Sequence, residues 1–204
     1  MAKSNYKLSF TTGGLFQTES VIVLEEYFKT NNWDVAIESI KSENLLQARS
    51  SSTAKRKLLE VLSRLHTLTQ QQLRLISDGY ISDQKQLLWL AACKRYQILR
   101  QFGEEVIRNQ YLQMQFTVPP NAFDKLLDDK AIWHSEIDEI TVSTKARLGS
   151  NAFKMAREAD ILTNDGLIQP ALFSRELVEA ISNDSNDNFA IFPISDSDIK
   201  QLLA

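Results

Sequence analysis

Ser143-Thr144-Lys145-Ala146-Arg147-Leu148 opens a stretch of helical periodicity that gives way, after Ala159, to Ile161-Leu162-Thr163-Asn164-Asp165-Gly166-Leu167-Ile168. Leu148, Ala152, Met155, Ala156 and Ala159 share one helical face, and Arg147, Ser150, Lys154 and Arg157 lie opposite. Asp-Gly between apolar flanks is a strong local signal for a two-residue hairpin turn. Upstream, Asn121 to Asp129 predicts a helix capped by Asn121 with Phe123, Leu126 and Leu127 inward, and Trp133 and Ile137 predict a short second one. Three helices followed by a small hairpin is the order of a winged helix. A plain helix-ending turn is the alternative reading of Asp165-Gly166.

The same basic signal occurs earlier, in Ser52-Thr53-Ala54-Lys55-Arg56-Lys57-Leu58. Leu58, Val61, Leu62 and Leu65 form its apolar stripe, with Arg56, Lys57, Ser63 and Arg64 on the other side. A hydroxyl cap followed by Lys and Arg suits a helix that seats its N-terminus against phosphates. Before it, Tyr6 to Thr12 alternates like a short strand ended by Gly13-Gly14. Helices are expected from Gln17 to Lys29 and from Trp33 to Lys41. After it, Leu73 to Ile81 is a weaker hairpin candidate with Asp78-Gly79 at its tip. A basic surface helix of a bundle is the competing interpretation.

Between these regions, Ser82 to about Gln101 predicts a nearly all-round buried helix around Leu87-Leu88-Trp89-Leu90-Ala91-Ala92-Cys93. Lys94, Arg95 and Arg100 form its polar side, and Phe102-Gly103 marks a bend. Pro119-Pro120 stops helix and marks a joint. The expected fold is therefore mainly α, with two winged-helix-like modules (residues 1–81 and 119–204) joined by a helical middle region (82–118). A helix from Ser174, a polar mobile loop at 183–188 and a docked Phe189–Phe192 run complete the second module.

The net charge of −3 is unevenly spread. Residues 45–110 carry eleven basic and five acidic side chains, while 121–204 carry eight and fifteen. Local fields rather than net charge steer a polyanion, so the balance does not exclude nucleic acid. Cys93 is the only cysteine, which rules out an internal disulfide and fits a reducing compartment. The longest apolar run falls far short of the ~20 residues of a membrane span. No hydrophobic signal core follows Met1–Lys7, so a cytoplasmic, non-membrane protein is expected.

No catalytic constellation is present. His66 and His134 have no metal-ligand spacing to Cys93 or to each other. Gly13-Gly14 lacks the Lys-Ser/Thr ending of a phosphate loop. Asp124, Asp128 and Asp129 read as a solvated helix face. Trp33, Trp89 and Trp133 sit at apolar helical positions and read as core, not as a stacking platform for single strands. No enzyme activity, cofactor or metal is expected.

The opening Tyr6-Lys7-Leu8-Ser9-Phe10-Thr11-Thr12-Gly13-Gly14-Leu15 with Glu19-Ser20 resembles the BrxA family, the small A component of BREX (bacteriophage exclusion) defence cassettes. The likeness extends over the length and order of elements. It implies a modular, mostly helical DNA-binding protein with winged-helix-like ends. The implied partners are other cassette components: a DNA methyltransferase, a large ATPase and a phosphatase-like protein. An older comparison of the family with an RNA-binding antitermination factor implies a single helical bundle instead.

The expected function is duplex-DNA binding without catalysis. Its residues would be Arg49, Ser52, Thr53, Lys55, Arg56, Lys57 and Arg64 in the first module, and Ser143, Lys145, Arg147, Asn151, Lys154 and Arg157 in the second. Lys94, Arg95 and Arg100 would extend the track between them. An RNA-binding bundle and a protein adaptor within the defence complex are the alternatives.

Overall fold

The run Leu87–Cys93 is enclosed along its whole length in the computed structural model, which describes residues 6–10, 13–48 and 50–203. This run lies in α5 (Ile81–Arg95) and has apolar side chains on every side and no solvent face, whereas Ile81 and Ser82 at the start of the helix are exposed. The helix packs against α1 (Gln17–Thr30), α3 (Ser51–Leu65), α4 (Gln70–Asp78), α6 (Gln97–Gln101) and α10 (Val142–Glu158). Trp89 is fully buried and its indole N–H donates to the Ile191 carbonyl at 3.3 Å, so the large ring carries no orphaned donor into the core. Each side chain of this size contributes about 1.5–3 kcal/mol by leaving water. The buried apolar residues, from Tyr6 to Ile194, form one continuous cluster.

The remaining elements are α2 (Trp33–Ser42), a π-helix (Phe102–Arg108), α7 (Asn109–Leu112), α8 (Ala122–Ala131), α9 (Ser135–Asp138), α11 (Arg175–Ser182), a 3₁₀ helix (Asn186–Ile191) and α12 (Asp196–Leu202). The fold is mainly α. Extended pairing among the described residues is limited to two antiparallel bridges, Thr117 with Leu167 and Leu162 with Ile168.

Several local expectations change. Tyr6–Phe10 is not a strand, although Tyr6 and Phe10 do turn inward; no strand among the described residues pairs with the segment, and the Tyr6 N–H donates to Glu136 at 3.0 Å. Thr11 and Thr12 lie outside the described residues. The Leu73–Ile81 hairpin is absent, because Thr69 and Gln72 form a capping box that starts α4 and carries Leu73 and Ile76 into the core. The bend falls at Tyr96, not at Phe102-Gly103: Tyr96 is extended and its hydroxyl donates to Glu60 at 2.7 Å. Trp133 is 76% exposed rather than core, since it sits in the turn between α8 and α9. Asn121 makes no side-chain cap. The 183–188 loop is anchored, with the Asp184 carboxylate accepting from Lys94 and Asn188 at 2.8 Å.

Candidate nucleic-acid interface

Both basic helices start as the sequence predicts in kind, two residues earlier in place. Ser50 caps α3 by accepting the Thr53 N–H at 3.3 Å, and Thr141 caps α10 by accepting the Thr144 N–H at 3.2 Å. Ser52, Thr53 and Ser143 thus fall inside the first turn. Their hydroxyls hydrogen-bond to the cap hydroxyls at 2.9–3.2 Å, Thr53 accepting from Ser50. The shift rotates the first turn so that Ser52, Lys55, Arg56 and Leu59 form one exposed stripe on α3. On α10 the matching stripe is Ser143, Arg147, Ser150 and Lys154.

Only part of the expected basic set is free. Lys55, Arg56 and Arg147 are exposed and have no ion-pair partner among the described residues. Lys154 faces Glu158 at a loose 3.7 Å. Lys57 is held by Glu19 at 2.7 Å, and Lys145 is paired with Asp128. Asn151 donates to the Phe10 carbonyl at 3.0 Å, fixing the N-terminal segment. Arg49 lies outside the described residues.

Arg64 is a core residue, 2% exposed. It pairs with Glu60 at 2.8 Å, donates to the Gly14 carbonyl at 2.7 Å and lies over the rings of Phe16 and Tyr96. Its long stem and planar head let it follow the apolar stripe inward, which the wheel position alone did not reveal. Burial, reinforced by the bond to Glu60, pushes the Tyr96 hydroxyl above its ordinary range.

The three middle residues do not form an open track. Lys94 is bound to Asp184 at 2.8 Å, and Arg100 to Glu104 at 2.8 Å and Asn188 at 3.1 Å. Arg95 lies over Tyr96 and makes no ion pair among the described residues.

A cleft of about 550 Å³ joins the flanks of the two basic helices. Lys57, Lys85, Lys154 and Arg157 enter it beside Glu19, Glu158 and Asp160. Lys85 binds Asp160 at 2.8 Å and Glu158 accepts the Leu15 N–H at 2.6 Å, so most of this charge is already satisfied internally. The cleft is best read as a tie between α1, α3, α5 and α10. Lys85 is its one cation that sequence reasoning passed over, because its partner lies 75 positions away.

Behind α10 the chain folds back. Asp160, in the left-handed region at φ 57°, stops the helix. Thr163 to Gly166 then forms a turn closed by the Gly166 N–H on the Thr163 carbonyl at 3.0 Å. Gly166 has φ 79°, while Asn164 and Asp165 keep negative φ. The loop is therefore a three-residue hairpin with glycine at the bulge, rather than the expected two-residue turn. Segment 166–168 also pairs with the segment before α8: the Val118 N–H donates to Gly166 and the Ile168 N–H to Phe116.

Comparison with known proteins agrees with this architecture. The BrxA family model matches residues 4–185. A BREX protein BrxA from Escherichia coli O9:H4 (strain HS) is 28% identical over 72% of this chain and 69% of its own length. Another, from Paramagnetospirillum magneticum, is 32% identical over 63% of this chain. There the match spans 64% of the relative, just under two thirds. A crystal structure of an uncharacterized protein from Magnetospirillum magneticum superposes with a TM-score of 0.79 at 21% identity, covering 94% of this chain and 100% of that one.

Proposed function

The chain belongs to the BrxA family, and from that premise we propose that it is a non-catalytic, duplex-DNA-binding component of a BREX phage-defence system. Family membership makes it a BREX component; the DNA-binding role rests on its surface. The carrying observation is the pair of exposed stripes that combine hydroxyls with cations, Ser52/Lys55/Arg56 on α3 and Ser143/Arg147/Ser150/Lys154 on α10, of which only Lys154 has an ion-pair partner among the described residues, the loose contact with Glu158. In this reading the first-turn N–H groups and hydroxyls hold phosphates while Lys and Arg neutralise them. Sequence preference is weak, since Arg56 and Arg147 alone on these stripes suit paired base contacts and Asn151 is tied down.

The order around α10 supports a winged-helix-like second module that takes in segment 116–118 ahead of the expected 119–204 bounds. Segment 116–118, α8, α9, α10 and the returning hairpin follow one another, and 166–168 pairs on both sides. The first module, 1–81, is then a helix-turn-helix without a hairpin among its described residues. The protein acts in the cytoplasm beside the cassette's methyltransferase, ATPase and phosphatase-like protein.

Fluorescence anisotropy of labelled duplex DNA and single-stranded RNA, titrated at rising salt, tests the reading. Duplex affinity is expected to exceed RNA affinity and to fall linearly on a log–log salt plot. Preference for RNA, or no salt-dependent binding, overturns it. A protein adaptor is the second reading, favoured by Ile132, Trp133 and Val142, which are 71%, 76% and 86% exposed; it predicts no nucleic-acid binding in the same titration.

A further inference from the structure

Where α5 ends and α6 begins, the chain straightens at Tyr96 and opens a pocket of about 410 Å³. Lys7, Lys94, Arg95 and Arg100 line it, with Gln97 and Asn188, and no carboxylate lines it among the described residues. That separates it from the cleft at the start of α1, where three carboxylates stand among the cations. The charges of Lys94 and Arg100 are balanced by Asp184 and Glu104, which lie outside the lining and hold the two side chains in place. Lys7 and Arg95 have no ion-pair partner among the described residues. The Arg95 head lies over the Tyr96 ring, which fixes the guanidinium without supplying a countercharge. Two fixed cations and two uncompensated ones converging on a concave space of this size suit a doubly or multiply charged phosphate group.

We propose that the pocket walled by Lys7, Lys94, Arg95 and Arg100 binds the phosphate groups of a phosphorylated ligand. The pocket shares no lining residue with the cleft at α1 and includes none from α3 or α10, so it stands apart from the DNA contacts proposed on those two helices, although three of its cations are the ones expected from sequence to extend the track between them. A phosphate can arrive on a small phosphorylated molecule or on a nucleic-acid backbone, and the chemistry of recognition is the same.

Isothermal titration calorimetry of the full chain with inorganic pyrophosphate at low salt tests it. Saturable one-to-one binding is expected, weakened at least tenfold in Lys7→Ala/Arg95→Met and unchanged in Lys55→Ala/Arg56→Ala. Arg95→Lys, which keeps charge and fold, should recover part of the affinity. Adding duplex DNA separates the sources. Displacement of pyrophosphate marks a backbone site, and simultaneous binding marks a site for a free phosphorylated molecule. Absence of saturable binding, or equal binding by wild type and the folded Lys7/Arg95 variant, overturns the proposal whatever the DNA titration shows.

Discussion

After α3 the chain passes through a short turn into another helix, whereas after α10 it reverses and pairs with a segment from before α8. The two regions begin alike, with a hydroxyl cap and an exposed basic stripe, and each is followed by an Asp-Gly dipeptide. At Asp78-Gly79 the preceding capping box has already committed Gln70 to Asp78 to helix, and Gly79 merely ends it at φ −83°. At Asp165-Gly166 the left-handed Asp160 has stopped the helix, and Phe116–Val118 supplies hydrogen-bond partners for the returning chain. A turn dipeptide is thus permissive. What lies within reach of its flanks decides whether it closes a hairpin.

The largest test of this comparison contrasts the arginines of the two helices. Arg64→Ala leaves the Gly14 carbonyl without its donor and Glu60 without its countercharge, held only by the Tyr96 hydroxyl among the described residues, and should cost about 3–5 kcal/mol in urea denaturation. Arg147→Ala should stay within about 0.5 kcal/mol of wild type, because its side chain is exposed and unpaired. Similar losses at both positions would erase the distinction between a buried and a surface cation.

Next come the two glycines, which are needed for different reasons. Gly166 sits at positive φ, with the Val118 carbonyl 3.0 Å from where a Cβ would stand, so Gly166→Ala should cost about 1–2 kcal/mol. Gly166→Asn should cost less, since Asn tolerates that region. At Gly79 the constraint is space, because a Cβ would press on the Leu75 carbonyl of the helix it ends. There Asn should bring no relief over Ala, as thermal midpoints would reveal. Relief at both positions would mean that one backbone conformation serves both dipeptides.

The caps predict a smaller and equal effect. Ser50→Ala and Thr141→Ala should each lower stability by about 1 kcal/mol, and Ser52→Ala and Ser143→Ala by much less. The reverse order would restore the caps to the residues at which the sequence signal was first read.

The smallest effect is pH-dependent. The Tyr6 N–H holds the Glu136 carboxyl below its ordinary value of 4.5. Stability from this contact is therefore complete above that value and lost as pH falls through the lowered one. Glu136→Gln should flatten the acid limb of a stability–pH curve and leave neutral pH nearly unchanged. An identical acid limb in the variant would remove this tie between the N-terminal segment and α9.

Much of the fold was legible because burial leaves a period in the chain. The stripes Leu58/Val61/Leu62/Leu65 and Leu148/Ala152/Met155/Ala156 are buried as read, and the helix expected from Ser174 forms, with Ser174 as its cap. The candidate site was legible in its helices and less so in its side chains. Whether Arg64, Lys57 or Asn151 faces solvent depends on Gly14, Glu19 and Phe10, which are remote in sequence and carry no local signal. Trp133 misled for the opposite reason: its apolar character said core, but its place beyond the last turn of α8 leaves most of its ring exposed.

The central claim is that the free stripes of α3 and α10 both face DNA. It is met most directly by measuring the salt slope of duplex binding for wild type, Lys55→Ala/Arg56→Ala, Arg147→Ala/Lys154→Ala and all four changes together. Each pair should weaken binding and reduce the slope by roughly one to two, and the combined variant should lose both contributions. If neither pair changes affinity or slope while wild type binds duplex DNA, the contacts lie elsewhere and the account of these two helices is wrong.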